Sequence, residues 1–129
     1  MPVIHQPEEI NQRWAQAFNA RDVPAMLALY EDQAVLVPAP DAEPVSGHDA
    51  IAAALEWLVG LGGAIIYEPR FWIQHGNLAM GSISYRLAGG TDPAGQPVEL
   101  AGRTTEIIRR QPDGTWKYLI DHPFGASKD

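Results

Sequence analysis

The feature that most constrains this chain is a change of period near Gly63. Before it, apolar residues recur at helical spacing; beyond it, they alternate as strands do. Ile10, Trp14, Ala17 and Phe18 fall on one face of a first helix that begins near Pro7, with Glu8 and Glu9 at the positive end of its dipole. Asn19 to Arg21 breaks that helix. Asp22 is placed to cap a second, shorter helix with Pro24 in its first turn and Met26, Leu29 and Tyr30 as its buried stripe. The apolar run Ala34 to Val37 reads as a strand, ended by Pro38, Pro40 and Pro44. Ser46-Gly47-His48-Asp49 has the form of a capping box, with Asp49 in place of the usual Glu or Gln. It opens a third helix in which Ile51, Leu55 and Leu58 face one way and Trp57 lies beside them. Gly60, Gly62 and Gly63 end it.

Four strands are expected after the switch. Ile65 to Ile73 is β-branched and aromatic, and Pro69 inside it implies a bulge or an edge position. From Leu78 to Leu87, Ile83, Tyr85 and Leu87 share one side and Ser82, Ser84 and Arg86 the other. Gly89 to Pro97 is a loop by composition, and Val98 to Arg110 reads as one long strand. Pro112-Asp113-Gly114 is a turn, and Trp116 to His122 returns. Helices mostly first and strands afterwards predict an α+β fold, with a mostly antiparallel sheet, as a single domain over residues 1–129.

Charge and composition narrow the partners. The formal net charge is -7, from 16 acidic and 9 basic residues, which repels phosphate backbones and anionic lipid; neither nucleic acid nor a membrane is an expected partner. The absence of cysteine removes disulfides, thiolate metal sites and cysteine nucleophiles, and fits a reducing compartment. Met1-Pro2-Val3-Ile4-His5-Gln6-Pro7 has no basic or apolar leader pattern, and no apolar run reaches the length of a membrane span, so a cytoplasmic location is expected. His5, His48, His75 and His122 show no metal-site spacing. The Gly60 to Gly63 cluster follows a helix rather than a strand, so it is a terminator and not a phosphate cradle. No metal and no cofactor are expected.

Several segments together carry a family likeness. Gln12-Arg13-Trp14-Ala15-Gln16-Ala17-Phe18-Asn19-Ala20-Arg21-Asp22 resembles the opening of the nuclear transport factor 2-like superfamily. Ala28-Leu29-Tyr30-Glu31-Asp32-Gln33-Ala34-Val35 is similar to its helix-to-strand passage, with Gln33 replacing the usual acid, and Pro44-Val45-Ser46-Gly47-His48-Asp49-Ala50-Ile51 to the start of its third helix. Gly102 to Glu106, then Trp116 to Pro123, resembles the SgcJ-like, SnoaL-like and ketosteroid-isomerase-like branch of uncharacterised proteins. The resemblance implies a cystatin-like cone, a strongly curved sheet wrapped around three helices, with a pocket inside and a homodimer outside. The superfamily spans isomerases, polyketide cyclases, epoxide hydrolases, dehydratases and non-catalytic association domains, so it implies no single activity. Steroid isomerases of this fold use a carboxylate base and an oxyanion hole of a phenol and a protonated acid. Matching motifs puts the phenol position on Trp14, the base position on Pro38, which is no base, and the acid position near Glu106. Asp41 is the near substitute for the base. Steroid isomerisation itself is therefore not expected.

The candidate residues each admit two readings. Glu106 is either a pocket carboxylate with a raised pKa, able to act as acid or base, or a solvent-facing Glu, free or paired with Arg103 or Arg109. Regular alternation puts Trp116, Tyr118, Ile120 and His122 on one face and Asp121 on the other, so His122 is either a proton shuttle at a pocket mouth or a histidine tied to backbone at a strand end. Asp41 is an acid of a loop over the pocket or simply a solvated one. Trp14, Tyr30, Trp57, Phe71 and Trp72, with Thr104 and Tyr118, are either aromatic and polar walls of a ligand site or plain core. The two functions compatible with these residues are a cofactor-free acid–base enzyme on a small apolar organic ligand, with Glu106, His122 and Asp41 as its candidates, and a non-catalytic ligand-binding or dimeric association domain.

Overall fold

The computed structural model describes residues 6–126; the N-terminal segment with His5 lies outside them. Helix α1 (Glu9–Asn19) buries Ile10, Ala15, Ala17 and Phe18, and one polar residue of the same stripe, Asn11. Helix α2 (Val23–Leu27) starts as expected from Asp22, whose Oδ1 accepts from Ala25 N at 3.1 Å. Strand β1 (Tyr30–Leu36) begins four residues before the run Ala34 to Val37, because backbone pairing, not apolarity, carries its first half. Ser46 does not cap the third helix. It lies in a two-residue strand β2 (Val45–Ser46) paired to β1, and Gly47, at φ 87°, is the residue preceding helix α3 (His48–Gly60). His48 Nε2 instead donates to the Tyr30 carbonyl at 2.9 Å and ties the start of α3 to β1.

Five further strands follow: β3 (Ala64–His75), β4 (Leu78–Thr91), β5 (Pro97–Arg103), β6 (Thr105–Arg110) and β7 (Trp116–His122). Their order in the sheet is β2-β1-β7-β6-β4-β3, with β5 also on β4, and every pairing is antiparallel except β1 with β7. The expected long strand Val98 to Arg110 is broken at Thr104. There β4 changes partner, pairing with β6 over Leu78–Gly81 and with β5 from Ser84 onward. Thr104 holds that corner: its N donates to the Ile83 carbonyl and its Oγ1 accepts from Ile83 N, both at 2.9 Å. Bulges at Pro69–Phe71, Leu87–Gly90 and opposite Ile107–Ile108 bend the sheet around the helices. Pro69 thus sits at both a bulge and an edge strand. Gly63, at φ 75°, is required where α3 meets β3, since a Cβ there would lie 2.5 Å from the Ala88 carbonyl oxygen.

The inner face of the sheet and the helices share one core, with Phe18, Met26, Tyr30, Ile51, Leu55, Ile108, Trp116 and Tyr118 at its centre. The outer face carries an apolar row. Ile73, Met80, Ile107, Ile120 and Val35 are successive cross-strand partners over β3, β4, β6, β7 and β1. Ile73 is 58%, Met80 37% and Ile120 39% exposed. Among the described residues, no helix is long and apolar enough to cross a membrane.

Candidate functional site

A cavity of about 420 Å³ opens between the inner sheet face, α1, α3 and the loop after β1. Most of its wall is apolar, from Leu36, Pro38, Leu55, Trp57, Ile65, Leu100 and Phe124 among others. The polar groups gather together: Asn11, Tyr30, Tyr85, Thr104, Glu106, Tyr118 and Asp121. Among the described residues lining it, none is Lys, Arg or His. A mostly apolar hollow with few convergent polar groups is the usual form of a small-molecule site.

Two hydrogen-bond chains support the polar groups. Trp14 Nε1 donates to Tyr30 Oη at 3.0 Å, and Tyr30 Oη donates to Asp121 Oδ2 at 2.6 Å. Tyr118 Oη donates to Asn11 Oδ1 at 2.5 Å, and the Tyr30 and Tyr118 rings lie against each other with centroids 4.9 Å apart. Two atoms are left over. Glu106 Oε2 and Asn11 Nδ2 are buried and have no hydrogen-bond partner. An unpaired buried polar atom is costly, so a ligand group that satisfies both is favoured.

Glu106 and Asp121 are direct cross-strand partners on β6 and β7. Burial, and then the neighbouring Asp121, push Glu106 up to about 8, against the opposing influence of Thr104 and Asn11. Burial pushes Asp121 up to about 6, and the Tyr30 hydroxyl acts against that rise. The pair titrates as a unit; both carboxyls are pushed above the ordinary range, Glu106 further than Asp121. Burial also raises Tyr30, Tyr118 and Tyr85, so all three phenols keep their protons. An ionised acceptor beside a neutral donor is the arrangement that acid–base chemistry needs.

The structure sorts the sequence candidates. Glu106 is 2% exposed and lines the cavity; Arg109 pairs with Glu31 instead. Trp14, Tyr30, Trp57, Thr104 and Tyr118 also line it. His122 does not. Ile107 pairs with Ile120 and Ile108 with Tyr118, which leaves Leu119 as an extra residue. The bulge turns Asp121, not His122, to the face of Tyr118, and His122 Nδ1 accepts from Phe124 N at 3.2 Å. Asp41 is exposed and outside the wall, because a turn closed by Ala42 N on the Ala39 carbonyl carries it away while Pro38, Ala39 and Pro40 stay. The bulge after Pro69 turns Phe71 outward, where it is 38% exposed, and Trp72 lies over Gly81 rather than on the cavity. Asp121, Asn11 and Tyr85 are lining residues beyond the sequence candidates. Asn11 had a signal, a polar residue three before Trp14 and seven before Phe18 on the buried stripe. Tyr85 alternated with Ile83 and Leu87, and only Asp121 was hidden by the bulge. Among the described residues, no group of three or more acids or histidines is arranged to hold a metal ion.

Cone and cavity together define a small pocket protein built on a curved sheet. The chain belongs to the SnoaL-like domain family, whose profile matches residues 11–119. No curated protein matches it. Among solved structures, it is similar to a nuclear transport factor 2-like protein of unknown function from Pseudomonas putida, at 29% identity and a TM-score of 0.68, over 89% of this chain and 80% of that one. A Thiobacillus denitrificans protein, provisionally described as a calcium/calmodulin-dependent protein kinase type II association domain, aligns at 24% identity and a TM-score of 0.76, over 95% and 96%. A ketosteroid isomerase-like protein from Erwinia carotovora atroseptica aligns at 23% and 0.68, over 89% of each chain. These likenesses confirm the expected cone fold of three helices in a mostly antiparallel sheet.

Proposed function

We propose that this chain is a single-domain, cytoplasmic, cofactor-free enzyme that moves a proton on a small, largely apolar molecule bearing a carbonyl group. The observation that carries the reading is the pair of unpartnered atoms on the cavity wall, Glu106 Oε2 and Asn11 Nδ2. With Glu106 protonated, both are donors, and a carbonyl oxygen accepts from both. Asp121 takes a proton from the carbon beside the carbonyl. The C–H electron pair moves toward the oxygen, and the hydrogen bonds from Glu106 and Asn11 strengthen as charge develops there. Returning the proton from Asp121 to another carbon gives isomerisation; passing it to a β-hydroxyl that departs as water gives dehydration; attack of the enol carbon on a second carbonyl, whose oxygen takes the proton, gives cyclisation. His122 and Asp41 have no part in this reading, since neither lines the cavity.

The test uses 2-tetralone, a small ketone with exchangeable α-hydrogens, in deuterated buffer, followed by proton NMR. Exchange faster than in buffer, abolished by Asp121→Asn and slowed by Glu106→Gln, supports the proposal. Binding of the ketone, seen by tryptophan fluorescence, without faster exchange overturns it in favour of a carrier.

A second reading, a dimeric association domain, is favoured by the outer apolar row from Ile73 to Val35. The five strands are 12, 14, 6, 7 and 7 residues long; at about 4.8 Å between strands and about 3.4 Å per residue they give a face of roughly 750 Å², close to what one partner of a stable pair buries. A neighbour of the same fold is described as an association domain, and a second copy of this chain is the proposed occupant. Light scattering at micromolar concentration should give a dimer mass, and Ile107→Lys a monomer. A monomer mass for the unaltered chain refutes the pairing.

A further inference from the structure

We propose that Tyr30 is the positioning residue that sorts the two carboxylates, its hydroxyl committing Asp121 to the role of base and leaving the shared proton with Glu106. The proposal rests on reading the pair as acid and base, but its test needs no substrate. The direction of the hydrogen bonds carries it. Trp14 Nε1 is a donor only, so at 3.0 Å it must donate to Tyr30 Oη. That interaction occupies the oxygen as an acceptor and aims the only Tyr30 proton at Asp121 Oδ2, 2.6 Å away. Asp121 Oδ2 must then accept, which it does best when ionised.

Glu106 is held differently. Thr104 and Asn11 support its charged form, but burial and the neighbouring Asp121 outweigh them, and its Oε2 is buried without a partner. A carboxylate oxygen buried without a donor favours the protonated form. The other groups facing Asp121 do not compete. Tyr118 on β7 and Tyr85 on β4 keep their protons, and Asp121 faces no positive charge among the described lining residues. The α3 wall contributes Ala54, Leu55, Trp57 and Leu58, and the chain after β7 contributes Pro123 and Phe124, none of which titrates. The Tyr30 phenol therefore biases the pair toward an ionised Asp121, and the indole of α1 orients that phenol from a different element.

The experiment is a ¹³C NMR titration of the side-chain carboxyls in the unliganded protein from pH 4 to 9, assigned with Asp121→Asn and Glu106→Gln. In the unaltered chain, the Asp121 signal moves at lower pH than that of Glu106. Tyr30→Phe keeps the ring against Tyr118 and removes the hydroxyl. It should raise the Asp121 step by about one pH unit or more and narrow or reverse the order. Trp14→Phe leaves the hydroxyl but frees its orientation, and should shift the step in the same direction by less. Unchanged steps in a folded Tyr30→Phe, or in Trp14→Phe if the first variant does not fold, overturn the proposal. If the Asp121 step moves while 2-tetralone shows no exchange, the enzyme reading fails and the Tyr30 assignment stands.

Discussion

Replacing Glu106 by Gln should change how the stability of this protein depends on pH more than it changes the stability itself. Glu106 is 2% exposed, and in the fold its proton is held up to about 8, against an ordinary value of 4.5. The unfolded chain releases the proton near the ordinary value. Between those limits the folded state carries one more proton than the unfolded state, so stability falls as pH rises. The contribution is fully present below about 4.5 and fully lost above about 8, at a slope of roughly 1.4 kcal/mol per pH unit. Glutamine has nearly the shape of the protonated acid and no charge to bury. Relative to the variant, the unaltered chain should have lost roughly 2 kcal/mol by pH 6.0 and about a further 2 kcal/mol by pH 7.5, measured from their difference below about pH 4.5. Equilibrium urea unfolding followed by tryptophan fluorescence measures both, with equal m-values required for the comparison. Titrating groups outside the Glu106–Asp121 pair are common to the two proteins and cancel, so the difference reports that pair. Parallel pH dependence would mean that Glu106 ionises in the fold as it does in water, and the argument for a neutral acid in the cavity would be wrong.

Three further outcomes follow from local geometry. Asp22→Ala removes the side-chain acceptor for Ala25 N and should cost about 1 kcal/mol in urea unfolding. Gly63→Ala places a methyl 2.5 Å from the Ala88 carbonyl oxygen at a φ of 75°, and should cost more than about 2 kcal/mol, seen as a lowered Tm. Trp57 is 61% exposed yet lines the cavity, so Trp57→Ala should change stability by less than about 1 kcal/mol while speeding the dissociation of 2-tetralone several-fold in stopped-flow fluorescence.

Much of the fold was legible because its signals are local. The stripe Ile10, Trp14, Ala17 and Phe18, the Asp22 cap, the glycines after α3 and the Pro112-Asp113-Gly114 turn all act within a few residues, and each has its expected consequence. The errors lie where a distant strand decides. Ser46 has the chemistry of a cap, yet its backbone pairs with Val35 and the helix starts beyond it. Val98 to Arg110 has unbroken strand character, and only the change of partner along β4 divides it at Thr104.

The candidate site shows the same division more sharply. Glu106 was legible as a site residue because its strand runs regularly from Thr105 to Arg110. On β7, Tyr118 and His122 share a face only if the alternation is unbroken, and one extra residue at Leu119 reverses it. Nothing in Trp116 to His122 marks that residue. The bulge is set by what β7 must satisfy on both sides at once. On one side β6 aligns Ile107 with Ile120 and Ile108 with Tyr118; on the other, β1 aligns Tyr30 with Tyr118 and Val35 with Ile120. With Leu119 excluded from both ladders, Tyr30 stands beside Tyr118 and within 2.6 Å of Asp121. A regular strand would place His122 on the cavity wall and Asp121 on the outer face, leaving Tyr30 without its acceptor and Glu106 without the neighbouring acid that helps keep it protonated. The residue that determines the chemistry of this cavity is thus one that never enters it.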